Sequence, residues 1–304
     1  MMRPAHLTRR SMALLLASAA VFPTAGSLSA QETFVVAAVN YPLAFFAERL
    51  VGDTAEVLFA VPAGTDPSFW RPSIAEITAM QTADMIALNG AGFANWTTKV
   101  SLPRSRTVDT SAGFSDRYIS TETVTHSHGD GGQHSHTGTA NYIWLDFELA
   151  ALQAEALAAG LIRRRPESEA TIASNLESLA RDLSALATSA KEIEAQATGK
   201  TAIAAHPRYQ YFGQAYGLNI ASMEWDANED VSDAQWQDLQ AKIAETGAEL
   251  FIWEATPTQK TRDRIRELGL TDVVFPPLAN TPETGDFLSA MTASVEEIKR
   301  ALSK

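Results

Sequence analysis

Residues 166–199 read PESEATIASNLESLARDLSALATSAKEIEAQATG, and this stretch decides the fold that the 304-residue sequence predicts. Apolar side chains recur in it every three or four residues, which is the spacing of one buried helix face. They are Ile172, Leu176, Leu179, Leu183 and Leu186. The stretch therefore predicts one helix of about thirty residues, where an average helix has roughly 11–12. So long a helix joins two parts of a protein and resists wide hinge opening.

On both sides of this helix, short apolar strands alternate with helical segments, as they do in parallel sheets. The strands expected before it are residues 33–39, 55–61 and 85–89, and those expected after it are residues 200–206, 249–254 and 272–278. A helix is expected at residues 71–84, with Pro72 in its first turn. We therefore predict an α/β fold of two lobes, each with a parallel sheet flanked by helices, joined by one long bridging helix. The predicted boundaries are 31–165 for the N-terminal lobe, 166–197 for the bridging helix and 198–304 for the C-terminal lobe.

The composition limits the classes of function. The net charge of −12 offers no basic surface for nucleic acid, so no nucleic-acid partner is expected. The chain has no cysteine, which excludes disulfides, thiolate metal sites and cysteine nucleophiles. Catalytic motifs such as a nucleophile elbow, a phosphate-binding glycine loop or H-E-x-x-H are absent from the sequence. An enzyme is therefore disfavoured.

Residues 1–30 have the pattern of a cleavable signal peptide. A basic start is followed by an apolar segment at residues 12–22 and by small residues ahead of residue 31. The apolar segment is too short to anchor the protein across a bilayer. Arg9 and Arg10 also fit a twin-arginine signal loosely, so the export route stays open. The sequence predicts a periplasmic protein.

A histidine-rich stretch, THSHGDGGQHSHTG, occupies residues 125–138 within a predicted solvated loop at 119–140. Its imidazoles come as two H-x-H pairs, His126 with His128 and His134 with His136. Such pairs on a glycine-rich tether predict zinc binding that is labile, because the loop must be ordered each time it captures an ion. A solvated low-complexity loop without a metal is the alternative.

Four further stretches resemble one family. They are VPAGTDPSFWRPSIAEITAMQTADMIALNGAGFANW (61–96), NYIWLDFELA (141–150), AAHPRYQYFGQAYGL (204–218) and ELFIWEATPTQKTRDRIRELG (249–269). The first is similar to P-x-G-x-D-P-H-x-[YF]-x-P-[ST], a motif of the ZnuA-like solute-binding proteins of zinc and manganese ABC transporters. The resemblance extends over essentially the whole chain after the leader. It implies a two-lobed fold and a metal held between the lobes.

The resemblance also implies four ligand positions, and this chain departs from most of them. The first two histidines of the family would fall at Ser68 and Tyr142, and the third falls at His206, which is present. The fourth ligand, a carboxylate, would fall at about Pro276. A closed zinc site needs four nitrogen, sulfur or oxygen donors. The inherited interlobe site is therefore expected to be broken as a zinc site, and His206 could be only an interface histidine.

Other residues near these positions are candidates for a changed cleft. The resemblance assigns loop capping to Asp66, and Asp286 suits a helix N-cap better than a ligand role. Glu254 ends a strand and could point into the cleft. Aromatic residues beside the motifs predict a lined pocket for a small organic molecule or a chelated metal. They are Phe69, Trp70, Tyr142, Trp144, Tyr209, Tyr211 and Trp253, together with His206.

These patterns lead to three hypotheses of function. The first is a solute-binding component of a zinc-type ABC importer, a monomer that delivers a metal ion or small ligand to an inner-membrane permease. The second is a diverged member whose cleft binds an organic or chelated-metal ligand. The third is a periplasmic zinc buffer or chaperone that works through the histidine-rich loop alone.

Overall fold

The computed structural model describes Met1 and residues 33–121, 138–227 and 229–303. Its first sheet consists of β1 (Val35–Ala38), β2 (Glu56–Leu58), β3 (Met85–Leu88) and β4 (Thr107–Asp109). The sheet is parallel, and its strand order is β2-β1-β3-β4. The central strands β1 and β3 are almost entirely buried. This burial on both faces explains their continuous apolar sequences.

The helices of this first lobe are α1 (Tyr41–Val51), α2 (Ile74–Thr82) and α3 (Phe147–Arg164). Each begins at a side chain that accepts hydrogen bonds from the first-turn N–H groups. At α2 this residue is Ser73, which forms a capping box with Glu76. Pro72 therefore lies before the helix, and the prediction that it lies in the first turn is wrong.

The second sheet consists of β7 (Thr201–Ala204), β8 (Asn219–Ser222), β9 (Leu250–Trp253) and β10 (Thr271–Val274). It is also parallel, and its strand order is β10-β9-β7-β8. The helices of this lobe are α5 (Gln210–Ala215), α6 (Asp233–Thr246), α7 (Gln259–Glu267) and α8 (Phe287–Leu302). The predicted α/β fold of two parallel-sheet lobes is confirmed.

The long bridging helix is confirmed as α4 (Glu169–Ala197), 29 residues in length. It starts slightly later than predicted, because Pro166–Ser168 form a separate 3₁₀ turn. Ile172, Leu179 and Leu183 on its apolar face are buried. This face packs against α1, α3 and α8, so both lobes are attached to one rigid element.

The main hydrophobic core runs through both lobes and α4. Phe287 of α8 packs on Phe45 and Phe46 of α1, with ring centroids 5.7 and 5.4 Å apart. A second core lies within the C-terminal lobe and contains Trp225, Trp236, Phe251 and Trp253. The lobes are thus joined by shared packing as well as by chain connectivity.

The predicted loop at 119–140 is closed at its base by two short antiparallel strands, β5 (Ser120–Thr121) and β6 (Gly138–Thr139). The four loop histidines, His126, His128, His134 and His136, lie outside the described residues. None of the helices in the described part of the chain combines the length and the apolar content needed to span a membrane.

Candidate functional site

The candidate site lies between the two lobes, where loops that follow parallel strands meet. Asp66 and Ser68 lie in the loop between β2 and α2, and Tyr142 lies just before the turn that leads into α3. The C-terminal lobe supplies the loops after β7 and β9, which carry His206, Arg208 and Glu254. The carboxyl ends of parallel strands are the usual ligand-binding edge of α/β sheets.

Asp66 organises the N-terminal side of the cleft. Its Oδ1 accepts hydrogen bonds from Ser68 N (2.8 Å) and Ser68 Oγ (2.7 Å), which is the loop-capping role that the family resemblance implied. Its Oδ2 accepts a hydrogen bond from the Tyr142 hydroxyl at 3.2 Å. The buried Asn89 side chain donates to the carbonyl of Asn141 at 2.9 Å and so fixes the backbone beside Tyr142.

Arg208 crosses the cleft from the other lobe. Its Nη1 donates to Asp66 Oδ2 and to the Tyr142 hydroxyl, and its Nε lies 2.8 Å from Glu254 Oε1. The guanidinium carbon lies 5.2 Å from the centroid of the Tyr142 ring, within range of a cation–π contact. The Arg208 side chain is only 16% exposed. One guanidinium therefore joins Asp66 of the N-terminal lobe to Glu254 of its own lobe.

His206 lies at the edge of this cluster. Its Nδ1 is 3.2 Å from Glu254 Oε1, close enough for electrostatic contact. Within the described residues, however, neither of these two buried atoms has a partner with hydrogen-bond geometry. This holds even for Glu254 Oε1 and Arg208 Nε, which lie 2.8 Å apart. We interpret these contacts as electrostatic proximity only, because the angles are too poor for hydrogen bonds.

Burial and charge act in opposite directions on the pKa values of this cluster. Burial alone would raise the pKa of Asp66, but the charge of Arg208 and the hydrogen bonds from Ser68 outweigh it, so the pKa lies below its ordinary 3.8. Burial would lower the pKa of Arg208, but the neighbouring Tyr142, Glu254 and Asp66 raise it overall. Burial raises the pKa of Tyr142. At neutral pH the cleft therefore holds a carboxylate, a guanidinium and a neutral phenol at these positions.

These groups fit a resident guanidinium and do not fit a divalent cargo metal. Ser68 and Tyr142 present neutral hydroxyls where the family would place imidazoles. In the part of the chain that the structure describes, no three His, Asp or Glu side chains are grouped to hold a metal ion. A divalent ion about 4 Å from a guanidinium would be repelled by about 8 kcal/mol at an effective dielectric constant of about 20, before nearby carboxylates offset part of this.

The fourth family position, Pro276, lies in the loop after β10, and neighbouring residues attach this loop to the other lobe. The Trp144 indole Nε1 donates to the carbonyl of Pro277 at 2.7 Å. The Asn280 side chain donates to two carbonyls of the 62–65 loop at 2.7 Å each. The cleft is therefore closed by neutral hydrogen bonds as well as by Arg208.

Asp286 is the N-cap of α8. Its Oδ1 accepts hydrogen bonds from Ser289 N (2.8 Å) and Ser289 Oγ (2.6 Å). Hydrogen bonds from Ser289 lower the pKa of the Asp286 carboxyl, as is usual for a capping carboxylate. This is the role that the sequence favoured over a ligand role.

Three of the aromatic side chains expected to line the cleft either pack against other core residues or are exposed. Trp70 is buried against Trp96, with ring centroids 5.9 Å apart, and Trp253 lies in the second core. Phe69 is 77% exposed. The remaining buried members of the set are Trp144, Tyr209 and Tyr211. Tyr142 contacts Arg208 and lies beside Trp144, so the aromatic-lined pocket stays a prediction.

Arg208 was not among the residues expected in the cleft from the sequence, although it contacts Asp66, Tyr142 and Glu254. Arg208 follows His206 by two residues, at a position that the family motif leaves open. The available signal was a charged side chain just beyond a buried strand. This signal is weak, because most arginines at such positions are solvated.

The lowered pKa of Asp66 predicts a defined loss of stability in acid. Its stabilising contribution should be complete above the ordinary carboxyl pKa of 3.8 and should decline as the pH falls through the lower pKa of the folded state. Urea unfolding of the wild type and of Asp66→Asn measures this, from pH 6 down to the lowest pH at which both proteins fold. The difference between their free energies of unfolding should become smaller as the pH falls. A constant difference would contradict the prediction, and Asp53→Asn, at an exposed position, is the control.

Comparisons with known proteins agree with this architecture. A family model described as zinc-uptake complex component A, periplasmic (ZnuA), matches residues 35–301. The manganese ABC transporter substrate-binding lipoprotein PsaA of Streptococcus pneumoniae is 25% identical over 306 residues, which cover 96% of each chain. The zinc-binding lipoprotein AdcA of the same species is 25% identical over 309 residues. That alignment covers 96% of this chain but only 61% of AdcA.

Solved structures show the same fold at low sequence identity. The Zn(II)-bound ZnuA-like domain of Streptococcus pneumoniae AdcA has a TM-score of 0.75 at 19% identity and covers 90% of this chain and 100% of that one. A crystal structure of ZnuA has a TM-score of 0.70 at 21% identity, and the match covers 89% of this chain and 99% of the ZnuA chain. Because the family match extends over residues 35–301, the chain belongs to the ZnuA family, whose members are substrate-binding proteins of ABC transporters and not enzymes.

Proposed function

We propose that the chain is the extracytoplasmic solute-binding component of a metal-type ABC importer. It would bind its solute between the lobes and deliver it, as a monomer, to a permease in the inner membrane. The observation that carries this proposal is the cleft, where charged groups of both lobes converge at the carboxyl ends of strands. The leader pattern at residues 1–30 supports a periplasmic location.

We further propose that the histidine-rich loop binds zinc in a labile way. Its two H-x-H pairs supply enough imidazole donors for one tetrahedral ion. The cleft lacks such a donor set among the described residues, with His206 as its one retained family ligand. Zinc is preferred to manganese because imidazole is a good zinc ligand, whereas manganese favours carboxylate and water oxygens.

Replacing the four loop histidines, His126, His128, His134 and His136, with asparagine is expected to remove most of the bound zinc. Equilibrium dialysis against zinc, followed by metal analysis, measures this in the wild type and the variant. Zinc should also leave the wild type as the pH falls below about 6.5, where histidine protonates. The matched control is His206→Asn, which changes the cleft imidazole and should keep the loop zinc. Near-stoichiometric zinc on the four-histidine variant would overturn the loop proposal.

The second candidate function is a cleft that binds a small organic or chelated-metal ligand. The ion pairs of Arg208 with Asp66 and Glu254 favour this function, because they occupy carboxylates that would otherwise be available to bind a metal ion. Mass spectrometry of small molecules that co-purify with the protein tests it. A zinc buffer that works through the loop alone is the third candidate. It would carry loop zinc and show no saturable binding to a cognate permease.

A further inference from the structure

The position of Arg208 between the lobes has a consequence for the ligand that the cleft can accept. Its guanidinium is bound to Asp66 of one lobe and lies 2.8 Å from Glu254 of the other. Two carboxylates in a partly buried cleft need a counter-charge, since unpaired charges are costly away from water. Arg208 supplies that charge from within the chain.

The guanidinium of Arg208 has several specific contacts, as expected of a side chain that is part of the folded structure of the cleft. Nη1 donates to both Asp66 and Tyr142, and the guanidinium lies against the Tyr142 ring. Guanidinium remains charged at all physiological pH values and binds carboxylates in fixed planar geometry. A lysine or a hydrated metal ion would not reproduce this set of contacts.

We propose that Arg208 is the specificity-determining residue of the cleft: its guanidinium is a resident cation that joins the lobes and excludes divalent metal. The proposal rests on the solute-binding role of the cleft and is independent of zinc on the loop. It follows that the closed arrangement is reached without a metal. It also follows that any cargo of the cleft must either tolerate Arg208 or displace it.

The test removes the guanidinium charge and asks whether the cleft gains metal affinity. All the proteins compared also carry the four-histidine substitution in the loop, so that any metal binding measured comes from the cleft. In this background, Zn²⁺ or Mn²⁺ alone is titrated by calorimetry into the full chain with Arg208, with Arg208→Met and with Arg208→Gln. Both neutral variants leave two carboxylates and His206, which are donors that these ions accept. The donors would have to move into the vacated space, because no three are grouped at present among the described residues.

The expected result is no detectable binding with Arg208 present, and in the neutral variants a Zn²⁺ or Mn²⁺ affinity at least about 100-fold above the weakest affinity that the titration can detect. Arg262→Met is the matched control, because it removes an ion pair with buried Asp272 inside one lobe, 2.6 Å long, and should gain no metal affinity. Arg208→Gln keeps an amide donor for Asp66 and serves if Arg208→Met does not fold. Equal metal binding with and without Arg208 would overturn the proposal, and so would no binding by either folded neutral variant.

Failure of this inference is distinguishable from failure of the proposed function. If the intact cleft binds divalent metal, Arg208 does not exclude it, but the solute-binding role stands. If the loop carries no zinc, the loop proposal fails while the calorimetry on the cleft is unaffected. A small molecule that co-purifies with the wild type but not with Arg208→Met would assign Arg208 a direct role in binding cargo.

Discussion

Replacing Phe287 with alanine is expected to lower the free energy of unfolding by about 3–5 kcal/mol, as is usual when a buried phenylalanine leaves a cavity. Phe287 is fully buried at the start of α8. Its ring packs on Phe45 at 5.7 Å and stands nearly perpendicular to Phe46 at 5.4 Å. Because this contact attaches α8 to α1, its loss should weaken the association of the two lobes. Urea unfolding followed by circular dichroism measures the loss.

The chain offers a matched control for this substitution. Phe69 has the same side chain but is 77% exposed, so Phe69→Ala should change the free energy of unfolding by less than about 0.5 kcal/mol. The difference between the two variants reports the buried packing alone. A loss below about 1 kcal/mol for Phe287→Ala would show that the α8–α1 contact adds little to stability.

Packing of α8 also bears on how the lobes are divided. By chain order α8 falls in the C-terminal lobe that we propose at 198–304. By packing it lies on α4, on β10 of its own lobe and, through Phe287, on α1, and residues 33–304 cluster as one compact unit. The long helix and this shared core limit how far the lobes can separate. We therefore expect solute exchange to involve local loop movement rather than wide opening.

The sequence predicted those parts of the fold that carry a long or continuous apolar pattern. The helix α4 and the buried strands β1, β3, β7 and β9 belong to this group. It did not predict β4 or β8, whose sequences TVD and NIAS are short and mixed in polarity. Such edge segments become strands because a neighbouring strand supplies hydrogen-bonding partners, which local sequence does not reveal.

The cleft was predictable in position but not in its contacts. Glu254 directly follows β9, while Trp253 ends that strand and enters the second core with Phe251. Neighbouring residues of a strand point to opposite faces, so assigning both Trp253 and Glu254 to the cleft was inconsistent with strand geometry. The bond from Arg208 to Asp66 joins residues 142 positions apart and depends on how two lobes meet. The charged side chain just beyond β7 was the local signal, and it did not indicate this partner.

Replacing Trp144 with phenylalanine is expected to lower the free energy of unfolding by about 1–3 kcal/mol through the loss of one interlobe hydrogen bond. Trp144 is fully buried, and its Nε1 donates to the Pro277 carbonyl of the other lobe at 2.7 Å. The substitution keeps an aromatic ring beside Phe93 and Tyr142, whose centroids lie 5.2 and 4.9 Å away. It leaves the buried carbonyl without its donor. Urea unfolding at neutral pH gives the value.

Trp225→Phe isolates the hydrogen bond from the change in ring size. Trp225 is 2% exposed, and its Nε1 has no hydrogen-bond partner among the described residues. Both variants therefore lose the same ring atoms, but only Trp144→Phe breaks a bond between the lobes. A larger loss for Trp144→Phe means that the closed cleft is held partly by a neutral bond, which does not depend on the guanidinium of Arg208. Equal losses would mean that the Trp144 bond adds little to closure, which would then depend on Arg208, on the Asn280 hydrogen bonds and on the shared core.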